Sequence, residues 1–264
     1  MNMIIDRETI ALWNGEAPYT EFSPEQRQPS LMPYPVEGSK GAVVVLPGGG
    51  YCNKANHEAG CIAEMFNEVG VSAYVLDYRV KPCHMNAPLS DAKRAIRLVR
   101  SMGYEKVAIL GFSAGGHLCC SAATLYDMGD PAAEDPIERI SSRPDAFIPC
   151  YAVVSFTSFR HQGSVVSLLG DKATDYDLLR HFSAELHVTP DTPTAFLWHT
   201  CTDNAVPVEN SLNLAEALTH NGVPYELHIF GEGPHGMGLA ENTPSVHQWV
   251  KLCQNWIVRL GYAK

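Results

Sequence analysis

Apolar residues in this chain cluster in short runs, separated by longer segments in which they recur every three or four positions. The runs at 42–46, 72–77, 106–110, 146–154, 194–200 and 224–230 carry many β-branched and aromatic side chains and read as strands. Residues 42–46, Ala-Val-Val-Val-Leu, have no polar position at all, which suits a central strand buried on both faces. Helical spacing fills the intervals 56–69, 88–101, 114–126, 207–220 and 244–260. Strands alternating with helices predict an α/β fold, a mostly parallel central sheet flanked by helices, with ligands bound beyond the strands' carboxyl ends. The first 40 residues are rich in proline and polar side chains; they are expected to wrap the surface, with a short antiparallel edge strand from Ser30 to Val36.

Two stretches break the alternation. Residues 127–144 are rich in Asp, Glu and Pro and read as a surface excursion. Residues 155–188 hold two short helix-like segments, near 164–170 and 176–180, and are expected to form a small cap-like insertion within a single domain spanning 1–264. Their exposed apolar residues suit a lid, a pocket wall or a contact with a second copy of the chain.

The candidate chemistry begins at Gly111-Phe112-Ser113-Ala114-Gly115-Gly116-His117, between an apolar strand and an apolar helix. Strand, G-x-S-x-G, helix is the context of a nucleophile elbow, a turn so tight that only small residues fit around the serine. No lysine completes a phosphate loop, and the glycine spacing is not that of a dinucleotide site. A nucleophilic Ser113 needs an oxyanion hole, a base and an orienting acid. Pro47-Gly48-Gly49-Gly50-Tyr51 follows the 42–46 strand and can turn backbone N–H groups inward, with the amide of Ala114 as the second half of the hole. Among eleven histidines, His235 lies in a Gly/Pro loop just past the last strand, where its ring can swing to the sheet's carboxyl end. His199 and His228 lie within strands, His117 follows the elbow and suits packing, and His220 and His247 suit helix surfaces. Asp203 is placed in the loop after 194–200; Asp191 precedes that strand and falls at the wrong end of the sheet. The order Ser113, Asp203, His235 is that of α/β-hydrolases and differs from the chymotrypsin and subtilisin orders.

Several segments together resemble the α/β-hydrolase esterases that include acetyl xylan esterases and bifunctional acetyl/feruloyl esterases, near the hormone-sensitive-lipase-like group. They are Ile10 to Pro18, Leu46 to Tyr51, Leu76 to Val80, Leu89 to Ala95, Ser183 to Val188 and Trp198 to Ser211. The resemblance implies a serine esterase releasing a short acyl group, acetyl on a sugar above all, without a cofactor. It assigns Gly49, Gly50 and Ala114 to the oxyanion hole. Pro47 stands where the lipase-like members open their HGGG segment with histidine, a variant familiar among the xylan-esterase-like sequences.

Composition trims the alternatives. A chain of 264 residues with 45% apolar content can bury one substantial core. A net charge of −10 argues against nucleic acid and anionic membranes as partners. The stretch Met1 to Glu8 lacks the basic and apolar regions of a secretory leader, and eight cysteines show no framework spacing, so a reducing, cytoplasmic setting and no metal site are expected. Two other functions compete: an amidase, formamidase or peptidase of the same fold, and a non-catalytic binding protein built on it.

Overall fold

A computed structural model describes residues 8–264. The expectation about a secretory leader rests on Met1 to Glu8, of which residues 1–7 lie outside the described residues. The strands are β1 (Ile10–Ala11), β2 (Ser30–Tyr34), β3 (Gly41–Leu46), β4 (Ser72–Asp77), β5 (Lys106–Phe112), β6 (Ala146–Cys150), β7 (Thr194–Thr200) and β8 (Tyr225–Phe230). They form one eight-stranded sheet in the order β1-β2-β4-β3-β5-β6-β7-β8. The pairs from β4 to β8 are parallel; β1 and β2 are antiparallel additions at one edge.

The described residues hold seven α-helices: α1 (Gly60–Asn67), α2 (Ala87–Ser101), α3 (Ser113–Thr124), α4 (Gln162–Leu169), α5 (Tyr176–His181), α6 (Glu209–His220) and α7 (Pro244–Arg259). The strand period of two decides which side chain meets which layer. Val43 and Val45 point into one core with Phe66 of α1 and Trp249 and Ile257 of α7. Ala42, Val44 and Leu46 point into the other with Ile96 of α2, Leu118 of α3 and Leu214 of α6. Burial on both faces explains why β3 reads as an unbroken apolar run. This is the α/β-hydrolase arrangement the sequence pointed to.

Four local departures matter for the site. β5 runs two residues past 110, so Ser113 follows the strand directly. β6 stops at Cys150 instead of 154, because Tyr151 turns the chain at φ +33 and Val153 then donates its amide to the Ser113 carbonyl at 3.1 Å. The helix expected over 56–69 divides at Ala59 (φ −112, ψ −104) into a 3-10 turn, Asn56–Glu58, and α1. β1 was not expected; two residues are too few for a period to register. The acidic excursion 127–144 is stitched to α2, where Arg94 pairs with Asp135 (2.7 Å) and Glu138 (2.9 Å), and Arg97 with Glu138 (3.0 Å) and Asp127. No described helix is long and apolar enough to cross a membrane.

Candidate active site

Ser113 ends the turn between β5 and α3 at φ +53. A non-glycine residue in this region holds roughly 1–2 kcal/mol of strain, and packing must impose it. The neighbours do so by crowding. A Cβ on Gly111 would sit 2.1 Å from the Gly115 carbonyl oxygen, and one on Gly115 would sit 2.3 Å from the Leu46 carbonyl oxygen. The G-x-S-x-G pattern is therefore a steric requirement of helix α3 closing onto β3 and β5.

Three loops at the sheet's carboxyl end bring the expected residues together. His235, in the loop after β8, places Nε2 2.8 Å from Ser113 Oγ and Nδ1 2.7 Å from Asp203 Oδ2. A carboxylate can only accept, so Nδ1 carries the proton and Nε2 is left to accept from the serine hydroxyl. Asp203 Oδ1 accepts from the amides of Ala205 (3.0 Å) and Val206 (2.9 Å). Burial raises the Asp203 carboxyl, but hydrogen bonds from His199, His235 and the Val206 amide outweigh it and hold the group well below the usual carboxylate range. The serine is 7% exposed and the histidine side chain 20%, so the chain of hydrogen bonds is sheltered but open at the imidazole edge.

The Gly-rich loop lies beside Ser113. Gly49 (φ +136) and Gly50 (φ +64) adopt backbone conformations that favour glycine. Gly48 donates its amide to Glu58 Oε2 at 2.7 Å, whereas the Gly49 and Gly50 amides meet no acceptor among the described residues. The Ala114 amide belongs to the first turn of α3, where helical amides have no intrahelical partner. Tyr78 OH fixes the Pro47 carbonyl (2.6 Å), and Tyr51 (φ +59) sends its hydroxyl to His117 Nδ1 (2.8 Å). His117 Nε2 in turn donates to the Phe182 carbonyl (2.7 Å), which fixes its tautomer.

Among the described residues no other histidine hydrogen-bonds to Ser113. His199 is wholly buried, and His228 packs on Phe196 with ring centroids 5.0 Å apart. His220 and His247 are exposed on α6 and α7. Asp191 precedes β7, where its carbonyl accepts from Arg143 at 2.8 Å. Sequence reasoning missed three supports of the site, Glu58, Tyr151 and His199. Glu58 and Tyr151 meet across 93 residues of sequence with no local pattern to mark them, whereas His199 lies four residues before Asp203 but inside a strand. It also missed His161, half-buried before α4; burial first, and then the nearby His235, pushes its imidazole below the ordinary range, with Asp203 opposing.

The segment 155–188 touches this machinery at several points. Cys52 Sγ meets Ser167 Oγ of α4 at 2.9 Å, and Asn210 of α6 holds the Phe159 carbonyl at 2.9 Å. Phe159 itself is 51% exposed. A cavity of about 1060 Å³ lies elsewhere. It opens around Thr124 to Asp127, at the opposite end of α3 from Ser113, and its Arg97, Asp127 and Glu138 are engaged with one another. Among the described residues no group of three or more His, Cys, Asp or Glu side chains could hold a metal ion.

Comparison with known proteins follows the same line. The family model described as BD-FAE matches residues 31–218. The chain is 38% identical to the endo-1,4-beta-xylanase B of Butyrivibrio fibrisolvens, covering 76% of this chain and 33% of that protein. It is 29% identical to the acetylxylan esterase of Xylanibacter ruminicola, covering 84% and 46%. The chain thus spans between a third and a half of the length of these two relatives. The crystal structure of an acetyl ester-xyloside bifunctional hydrolase from Caldicellulosiruptor lactoaceticus is similar at 44% identity and a TM-score of 0.93, with both chains covered in full.

Proposed function

The chain belongs to the BD-FAE family, and from that premise we propose that it is a serine carboxylic-ester hydrolase that removes short acyl groups, acetyl above all, from small sugars or oligosaccharides. The observation that carries the reading is the continuous run Asp203–His235–Ser113, at 2.7 and 2.8 Å, beside a loop with unpartnered amides. The relatives named for acetylxylan and acetyl ester-xyloside substrates support the acyl group and the sugar.

In this reading Ser113 Oγ attacks the ester carbonyl carbon while His235 Nε2 takes its proton. The carbonyl π electrons move onto oxygen, and the resulting anion is met by the amides of Gly49, Gly50 and Ala114. Each well-aimed donor lowers the barrier by roughly 3 kcal/mol. Collapse expels the sugar alkoxide, which leaves with the proton from His235. Water, deprotonated by the same nitrogen, then attacks the acyl-enzyme and releases the acid and free Ser113. Asp203 keeps the imidazole in the required tautomer and stabilises its charged form.

The 155–188 segment is best read as a wall of the substrate cleft, since it is tied to the Gly-rich loop, the elbow helix and α6 at once. All eight cysteines are unpaired, which suits a reducing, cytoplasmic setting.

The test compares wild type with Ser113→Ala on p-nitrophenyl acetate, butyrate and octanoate, on acetylated xylo-oligosaccharides and on matched anilides. Serine-dependent acetate release from the oligosaccharide, with acetate esters preferred over octanoate, is the expected result. Faster anilide than ester cleavage would move the chain to the amidases. Full activity in Ser113→Ala would remove the nucleophile assignment.

A further inference from the structure

The machinery assigned above sits on two loops far apart in sequence. Residues 47–51 carry the free amides and residues 233–238 carry His235. Their separation decides whether Ser113 Oγ, the imidazole and the oxyanion donors converge on one carbonyl group. A buried side chain joins them. Glu58, 2% exposed, accepts the Gly48 amide on Oε2 at 2.7 Å and the Tyr151 hydroxyl on Oε1 at 2.5 Å. Tyr151 OH accepts the Gly238 amide at 2.9 Å, and the Gly238 carbonyl accepts from Trp249 Nε1 at 3.1 Å. The preceding residue closes a second link, His57 Nε2 to the Gly236 carbonyl at 2.9 Å. Packing leaves no slack, because a Cβ on Gly238 would lie 2.8 Å from the His57 carbonyl oxygen. The Tyr151 ring also meets the His235 ring edge-on, with centroids 5.1 Å apart.

The chemistry of Glu58 is unusual for a purely structural group. A buried carboxylate normally faces a cation. Here the two short bonds come from neutral donors, and among the described residues the ion-pair partner in reach is the exposed His57, 3.7 Å away. A neutral residue would fill the space at lower desolvation cost. The carboxylate gains strong, short, directional bonds to two separate segments at once. The carboxylate is taken up by the Gly48 amide and the Tyr151 hydroxyl, so its benefit is one of position.

We propose that Glu58, acting through Tyr151, is a positioning residue that fixes the oxyanion loop against the histidine loop. This rests on the esterase reading above. It assigns Glu58 no contact with substrate.

The experiment uses the full chain and four forms: wild type, Glu58→Gln, Tyr151→Phe and Glu58→Gln with Tyr151→Phe. Each is assayed with p-nitrophenyl acetate, inhibited with an aliphatic trifluoromethyl ketone, and melted. Ser113 adds to the ketone carbonyl, forming the Oγ–C bond and an oxyanion while its proton moves to His235, so inhibition reports the assembled geometry. Tyr151→Phe should lower kcat about tenfold, with KM within about twofold, and weaken ketone inhibition by the same factor. Glu58→Gln keeps one acceptor and should fall between wild type and the double variant. The double variant should lose less than the product of the two single losses, since both substitutions break one connection. Lowered melting temperatures with unchanged kcat and unchanged ketone inhibition would overturn the proposal, leaving Glu58 a stability element only. Losses confined to KM would overturn it as well. If wild type neither hydrolyses the ester nor binds the ketone, the esterase reading itself fails and the proposal falls with it.

Discussion

His199 Nε2 lies 3.4 Å from Oδ2 of Asp203, the same oxygen that receives the Nδ1 proton of His235 at 2.7 Å. The buried His199 ring is held by two further bonds, Nε2 to the Val206 carbonyl (3.0 Å) and Nδ1 to Ser211 Oγ (2.8 Å). Asp203 therefore sits in a cage of donors that all prefer its ionised form. Its stabilising contribution is fully present above the ordinary carboxyl value, near 4, and is lost only as pH falls through its lower folded value. Replacing it with Asn keeps the shape but puts an NH2 group against the proton on His235 Nδ1, because the Ala205 and Val206 amides hold the oxygen end. The imidazole then adopts the other tautomer and cannot accept from Ser113. For Asp203→Asn, kcat on p-nitrophenyl acetate should fall by about 10⁴. A loss under tenfold would show that His235 is oriented by something else.

Two glycines of the same loop, Gly48 and Gly50, should separate sterics from backbone strain. A Cβ on Gly48 would lie 2.7 Å from Glu58 Oε2, 2.8 Å from the Phe112 carbonyl oxygen and 3.0 Å from Ser113 Cβ. One on Gly50 would meet nothing within 4 Å, although φ is +64. Gly50→Ala should stay folded and lose about 1–2 kcal/mol of stability. Gly48→Ala should displace the nucleophile and lower kcat by at least about a hundredfold. Denaturant melts and steady-state assays on the pair would test both; equal effects would contradict the packing described around Ser113.

Burial lowers the His117 imidazole to about 4, with the bond to the Phe182 carbonyl opposing. The unfolded chain binds a proton there below about 6.5, and the folded chain does so only near 4. Stability from this group is full above 6.5 and declines as pH falls through that window, by about 3 kcal/mol at most. Asp91, pushed up to about 6 by burial against the pull of Arg79, works in the opposite sense over much of the same range. A comparison of wild type with His117→Gln cancels that contribution. The stability advantage of wild type should be constant above pH 6.5 and shrink between 6.5 and 4. A pH-independent difference in chemical melts would rule out a neutral buried His117.

Asn210 is saturated. Its Oδ1 accepts from Val154 (2.9 Å) and Ser155 (3.1 Å), and its Nδ2 donates to Phe159 (2.9 Å) and Pro207 (3.0 Å). Asn210→Asp is nearly isosteric but turns an oxygen toward two carbonyls. It should destabilise the protein by about 2–3 kcal/mol and raise KM by freeing the strained, exposed Phe159 (φ +50). Thermal melts and KM for p-nitrophenyl acetate test this; an unchanged melting temperature would mean that the segment is held by other contacts.

The sheet and its order of chemistry were legible because they follow local periods. The run 42–46, the glycine-flanked Ser113 at 111–115 and the Gly/Pro loop at 231–238 each stand out within a few residues, and the structure brings Ser113 and His235 to 2.8 Å. Strand ends were less legible. β6 stops at Cys150 because Tyr151 turns at φ +33 under Ser113, and nothing in Cys-Tyr-Ala-Val-Val signals a turn. The braces were illegible altogether. In the sequence Glu58 falls inside the helix expected over 56–69 and Tyr151 inside the strand expected over 146–154, and neither stands out there. Only the folded chain brings them to 2.5 Å.

The ladder of β5, β6, β7 and β8 acts as a ruler for the cleft. Phe112 is paired with Cys150, Cys150 with Trp198, and Thr200 with Phe230, so the loops bearing Ser113, Tyr151, Asp203 and His235 all leave from one staggered edge. Sheet register moves in whole residues, about 3.3 Å each, and a single step turns every side chain to the opposite face. The spacing of these four groups is therefore digital. Substitutions in the loops can blur it by tenths of an ångström, but no gradual drift in the strands can detune it, and any slip large enough to matter would first destroy both cores.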